Sequence, residues 1–231
     1  PLYNNNQNSN LGGLFAKHKE KTKIKSNINL DFKNELSNKY NQKISDENFF
    51  YYIYGILNSP DYLARFGQNI FYELPRIPIL KNYDNFLDHS KIGQKLLNLH
   101  INYDQAKKFD CKINIKKNYN EKLLYKLKKM KFSKKDNKVD KTKIYYNQFI
   151  TIENIPKEAF DYIIGGKSLI EWIIDRYQNK TDKNSLINDD INDFTNETLS
   201  NPSYPLDLIQ KIITVSLETQ KILKGSPKLD I

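Results

Sequence analysis

The sequence is short of several residue types, and each shortage closes a line of explanation. There is one cysteine, Cys111, in 231 residues. Neither a disulfide framework nor a cysteine-based zinc site can be built from it. The three histidines, His18, His89 and His100, are too scattered to suggest a metal cluster. Arginine occurs only as Arg65, Arg76 and Arg176, so basic charge is carried almost wholly by lysine. An AT-rich genome produces the same bias, which therefore says little about chemistry. No apolar run approaches the ~20 residues needed to cross a bilayer, and no signal-peptide pattern is present. These absences predict a soluble, cytoplasmic protein that does not engage a membrane span. The first residue is Pro1 with no methionine before it, as expected of a piece of a longer polypeptide.

The length fits one large domain or two small ones and is ample for a packed core. The formal charge is +10 and the pI near 9.3. Such a balance favours polyanionic partners, nucleic acid or an acidic membrane surface. The charge is uneven. Between Lys107 and Lys143 there are fifteen lysines against four acids (Asp110, Glu121, Asp136 and Asp140), a formal +11 that accounts for the whole net charge. Two readings fit this window: a solvated lysine-rich face, or a strand or loop that contacts phosphates.

Local patterns predict an α+β protein: a helical scaffold with a small, mainly antiparallel β-sheet region around residues 125–153. Residues 1–28 read as a flexible leading segment or linker, rich in Asn, Lys and Gly. A short helix is expected over 29–43, and Ser45 is suited to cap a helix through 46–57. Ser59–Pro60 ends that helix and opens another, because proline suits a first turn and disfavours helix in the residue before it. The two prolines of ELPRIPIL (73–80) require an extended segment. Phe86, Leu87, Ile92, Leu96, Leu97 and Leu99 predict a helix over 84–100. Alternation from Tyr125 to Phe132, then KIYYNQFITI (143–152) after a polar loop, predicts strands, with Asn147–Gln148 as a tight turn. Helices return at 156–164 and 168–177, the second opened by the capping box Ser168-Leu-Ile-Glu171. A polar loop spans 178–203. A last helix over 205–224 places Leu206, Ile209, Ile212, Ile213, Ile222 and Leu223 largely on one face and stops at Gly225.

The densest aromatic run is FFYYIYGILNSPDY (49–62), in which six residues are Phe or Tyr. On a helix, Phe50, Tyr54 and Leu57 share one stripe and Phe49, Ile53 and Ile56 a neighbouring one. An all-round apolar helix suits burial better than DNA stacking, with tyrosine hydroxyls reaching polar partners at its edges. Gly55 allows another element to approach closely.

Several catalytic motifs are present only in part. IIGGKS (163–168) has the end of a phosphate loop, but the position that needs the first glycine is Asp161 and the context is helical. Its glycines read as a helix C-cap before the next helix. NPSY (201–204) resembles the NPPY motif of amino-methyltransferases, yet no apolar strand leads into it. It reads as a turn opening the last helix. Pro60–Asp61 and Asp110-Cys-Lys112 offer the letters of a metal nuclease across a long gap. Asp189, Asp190 and Asp193 lack the glycine and final glutamate of a calcium loop. His100 ends an apolar helix and reads as a packed residue.

Six segments, taken together and in order, carry a resemblance. They are NFFYYIYGILNSPDYLARF (48–66), ELPRIPIL (73–80), LLNLHINYD (96–104), YKLKKMKF (125–132), the long stretch 143–190, and NPSYPLDLIQKIITVSLET (201–219). The chain resembles the C-terminal specificity domain of the type ISP restriction–modification enzymes over about 45–219. The resemblance implies that residues 29–231 are a target-recognition domain cut from a larger enzyme. A nuclease, a helicase-like ATPase and an N6-adenine methyltransferase would lie elsewhere in that enzyme. S-adenosylmethionine, ATP and Mg²⁺ would bind there, not in this chain. It further implies double-stranded DNA as partner, contact with the methyltransferase and helicase domains of the same polypeptide, and a monomer. No catalytic or metal-binding residue carries over. The family usually shows His and Arg where this chain has Asn58 and Leu63. On this reading Lys128, Lys129, Lys131, Lys134, Lys135 and Arg176 lie near DNA phosphates. The alternatives are a stand-alone methyltransferase or nuclease fragment, and an assembly domain that touches DNA little.

Overall fold

The computed structural model describes residues 3–4 and 25–231. The chain divides into two compact units, Pro1–Leu97 with Gly225–Ile231, and Asn98–Lys224. Most of the flexible leading segment expected at 1–28 lies outside the described residues. Strands β1 (Tyr3–Asn4) and β2 (Lys25–Ser26) pair antiparallel. Helices α1 (Leu30–Tyr40), α2 (Asp46–Asn58), α3 (Pro60–Phe66) and α4 (Tyr83–Ile101) follow.

Local chemistry starts these helices where the sequence predicts. Asn29, Ser45 and Ser59 each accept a hydrogen bond from a first-turn amide, those of Phe32, Asn48 and Tyr62. Such a cap contributes about 1 kcal/mol. The core of this unit gathers Leu36, Phe49, Tyr52, Ile56, Tyr62, Leu80, Phe86 and Leu229. The aromatic run is thus interior, as its all-round apolar pattern predicts.

Its tyrosines have a specific task. The segment 74–80 is extended but belongs to no strand, and Pro75 and Pro78 remove two amide donors. Its carbonyls are claimed at every second residue. Tyr62 Oη donates to Arg76 O (2.9 Å), Tyr52 Oη to Pro78 O (2.5 Å) and Tyr40 Oη to Leu80 O (2.8 Å). Burial holds the Tyr52 phenol far above its ordinary pKa and pushes Tyr40 up to about 12. Both therefore remain donors at any physiological pH.

In the second unit, β3 (Lys112–Ile115), β4 (Lys131–Lys135), β5 (Lys138–Tyr145) and β6 (Ile150–Glu153) form one antiparallel sheet in the order β3-β6-β5-β4. Ile113, Ile152, Ile144 and Phe132 stand opposite one another across all four strands. This inner row packs on Ile170 and Ile174 and on Leu206, Ile209, Ile212 and Ile213. These belong to α5 (Leu169–Arg176) and α7 (Tyr204–Lys224). Between α5 and α7 the chain also forms β9 (Lys180–Thr181) with β10 (Asn188–Asp189), a short α6 (Ile191–Asp193) and a π-helical turn at Phe194–Thr198.

The α+β class holds, but the sheet's extent differs from the expected 125–153. Lys112–Ile115 adds a strand, whereas 125–130 is irregular. The backbone of Leu127 makes no continuous ladder there. Its amide donates to Asn192 Oδ1 and its carbonyl accepts from Asn192 Nδ2, both at 2.8 Å. The polar loop expected before 143 is a β-hairpin. Asp136 and Asn137, at φ +50° and +60°, make its two-residue turn, which is the pairing favoured for a twisted hairpin. Glycine chemistry also overrides the helix expected at 156–164. Lys157–Phe160 is one 3-10 turn, and β7 (Ile163–Ile164) pairs with β8 (Lys167–Ser168) across Gly165 and Gly166. Both glycines have positive φ, so they form a hairpin turn and not a helix C-cap. The capping box at Ser168 and Glu171 forms as predicted.

The buried stripe of α4 is Phe86, His89, Ser90, Gly93 and Leu96, less apolar than the sequence pattern predicts. The reason is a close backbone approach. A Cβ at Gly93 would lie 1.8 Å from Tyr51 O, and one at Gly55 2.1 Å from His89 O. Gly93→Ala gains up to about 1 kcal/mol of helix propensity but must separate two packed helices. We expect a net loss of about 2–4 kcal/mol, read as a lowered urea midpoint. Unchanged stability would contradict the contact.

Candidate nucleic-acid interface

Alternation decides where the lysines of the sheet go. On the face opposite the buried row, Asn114, Thr151, Tyr145 and Lys131 stand across the four strands. Lys112 and Lys143 share this face and are both drawn to Glu153, at 3.8 and 2.7 Å. Hydrogen bonds from Lys143 and Asn114 hold the Glu153 carboxyl below its ordinary pKa. Lys141 pairs with Glu171 at 2.8 Å and Lys108 with Asp207 at 2.7 Å. Burial works against the Glu171 charge, but bonds from Lys141 and Ser168 outweigh it and its pKa is lowered. These lysines are spent inside the protein.

Six of the remaining lysines form the candidate site. Among the described residues, Lys126, Lys128, Lys129, Lys131, Lys134 and Lys135 are exposed and make no salt bridge. The segment 129–131 borders two grooves. One is lined by Lys126, Lys128, Lys129, Lys131, Tyr145 and Gln148. The other, beside α5, is lined by Lys129, Lys131 and Lys134 and also by Glu171 and Asp175. Asp175 there pairs with Lys167. Of the residues singled out from sequence, Lys128, Lys129 and Lys131 therefore come together in the first groove. Lys134 belongs to the second, and Lys135 sits beside the β4–β5 turn. Arg176 is exposed in the last turn of α5. The chain after it returns to the lysine segment, through a bridge between Lys129 and Gln178 and an Asn179 N–H to Lys128 O bond of 2.9 Å.

Sequence reading missed Lys126, Tyr145 and Gln148. The alternation of buried Ile144 with Tyr145 was the available signal for the tyrosine; nothing local marks the other two. The first groove depends on Asn147. Its Nδ2 donates to Leu124 O (2.7 Å) and Lys126 O (3.1 Å), and its Oδ1 accepts from the amides of Phe149 and Ile150 (both 2.8 Å). One side chain thus closes the β5–β6 turn and ties it to the segment that carries the lysines.

The partial catalytic motifs are otherwise engaged. Asp61 accepts from Leu229 N at 2.8 Å and pairs with Arg65 at 2.9 Å. Ser203 Oγ donates to Asn201 Oδ1 at 2.9 Å, in the turn that opens α7. His100 is packed as expected, with Nε2 2.9 Å from Thr219 Oγ1 and its ring stacked on Tyr162. No group of three or more acidic, histidine or cysteine side chains among the described residues could hold a metal ion.

Replacing Asn147 by alanine leaves two carbonyls and two amides without partners. Stability is expected to fall by about 2–4 kcal/mol, measured by chemical denaturation. A change below about 0.5 kcal/mol, the usual range of a surface substitution, would show that the turn does not need it.

Comparison with known proteins bears on this surface. The family model of the Type ISP C-terminal specificity domain matches residues 1–208. Among solved structures the chain is similar to the ATP-dependent Type ISP restriction–modification enzyme LlaBIII bound to DNA, at 34% identity and a TM-score of 0.78, over 99% of this chain and 14% of that one. It is also similar to a nuclease-deletion mutant of the Type ISP enzyme LlaGI in complex with a DNA substrate mimic, at 40% identity and TM-score 0.69, over 82% of this chain and 14% of that one. A third likeness is to the DrdV–DNA complex, at 25% identity and TM-score 0.73, over 91% and 20% of the two chains. No curated protein matches. The chain spans about 14% of the length of the first two structures. By the extent of the family match and this level of identity, the chain belongs to the Type ISP C-terminal specificity domain family.

Proposed function

We propose that this chain recognises a specific sequence in double-stranded DNA, as the specificity part of a larger ATP-dependent restriction–modification enzyme. The supporting observation is the groove at Lys126–Lys131. It concentrates unpaired cations beside an exposed tyrosine and an exposed glutamine in a family whose structural neighbours are DNA complexes. Lysines supply sequence-independent attraction to phosphates; base contacts supply specificity. Lys128, Lys129 and Lys131 form the phosphate-contacting set, with Lys134, Lys135 and Arg176 extending it along the strand edge and the end of α5. The chain itself is not catalytic. Nuclease, translocase and N6-adenine methyltransferase chemistry, with Mg²⁺, ATP and S-adenosylmethionine, belongs to other domains of the same polypeptide. The protein works as a cytoplasmic monomer. No described helix is long and apolar enough to cross a membrane.

A second role, packing against those other domains, is favoured by Tyr72 and Leu74, which are 89% and 88% exposed. The two roles separate experimentally. The triple variant Lys128→Gln, Lys129→Gln, Lys131→Gln is expected to weaken duplex binding about 10–100-fold at moderate salt, equally on all sequences. Each lost phosphate contact should flatten the log–log salt dependence by roughly 0.9. Fluorescence anisotropy across a salt series measures both. Unchanged affinity and slope would remove the groove from DNA binding and leave the assembly role.

A further inference from the structure

Phosphate-contacting lysines cannot tell one sequence from another, so the site needs a side chain with free, directional donors and acceptors. We propose that Gln148 is that base-reading residue and that it recognises the major-groove edge of an adenine. The inference rests on the DNA-recognition reading above.

The groove holds two carboxamide side chains, Asn147 and Gln148. Asn147 is fully spent on the backbone. Neighbouring amides are engaged at least in part. Asn114 bonds the Glu153 carboxylate, Asn120 accepts from Lys122 N, and Gln178 donates to Asp175 O. Gln148 alone lines the groove with an exposed carboxamide and no hydrogen-bond partner among the described residues.

Its backbone is held firmly. Asn147 pins the turn from within. Phe149 O accepts from Lys116 N at 3.0 Å, and Tyr146 Oη donates to Tyr125 O at 3.1 Å. A free polar group on a clamped turn, flanked by cations that fix the phosphates, is the arrangement that direct readout requires. Glutamine offers one acceptor and two donors, which match adenine N6 and N7 as a bidentate pair. A guanine presents two acceptors there and leaves the glutamine oxygen opposed.

The test is binding selection from a randomised duplex pool with the complete polypeptide, followed by sequencing of the retained DNA. The wild type should select several positions. Gln148→Ala should lose the preference for adenine at one of them by roughly tenfold, with the other positions and the salt dependence unchanged. Placing 7-deazaadenine at that position removes the N7 acceptor. This should weaken wild-type binding and leave the variant unaffected. A variant that keeps every preference, or loses affinity uniformly, would overturn the assignment while leaving DNA recognition intact. A wild type that selects no sequence would overturn both. Gln148→Ala should melt with the wild type, which separates it from Asn147→Ala.

Discussion

The second unit depends on one constraint: an antiparallel sheet that buries a single face. Ile113, Ile152, Ile144 and Phe132 form a row across four strands and close onto α5 and α7. Because side chains alternate, Lys112, Lys131 and Lys143 fall on the other face. Acids then sort the lysines. Glu153 and Glu171 neutralise Lys112, Lys143 and Lys141. Among those left over, Lys126, Lys128, Lys129, Lys131, Lys134 and Lys135 are exposed and make no salt bridge among the described residues, so their positive charge faces outward.

A second theme is the use of side chains where regular hydrogen bonding stops. Three tyrosine hydroxyls satisfy alternate carbonyls of a proline-containing segment. Asn192 pairs both backbone groups of Leu127, and Asn147 serves two carbonyls and two amides at once. A buried carbonyl or amide without a partner costs about 1–3 kcal/mol, so these substitutes define irregular segments as firmly as a ladder would. The cost of that economy is sensitivity: Asn192 and Asn147 each support several bonds together.

Much of the helical scaffold was legible because its signals are local. Asn29, Ser45, Ser59 and the Ser168–Glu171 box act within one turn of themselves, and they mark the starts of α1, α2, α3 and α5. The burial of the aromatic run followed from its all-round apolar pattern. The misreadings have local causes too. Asp136–Asn137 and Gly165–Gly166 are hairpin turns; a polar loop and a helix cap were expected there, so the sheet expected around 125–153 lacked its β4–β5 turn and the β7–β8 pair was missed. The alternation at 125–130 was real but misleading, because a distant asparagine captured Leu127.

The sequence by itself determined the helix starts, the α+β class, the excess of lysine and the family resemblance. All of these rest on residues near one another in the chain or on motifs in order. Tertiary structure alone decided which lysines are free and which amide is unspent. Lys143 and Lys131 look alike in sequence; a glutamate two strands' length away in the chain claims one and not the other. Asn147 and Gln148 are neighbours of similar chemistry, yet the return of residues 124–126 consumes the first and leaves the second facing solvent. Charge pairing and hydrogen bonding act through space, so only the folded chain could assign them.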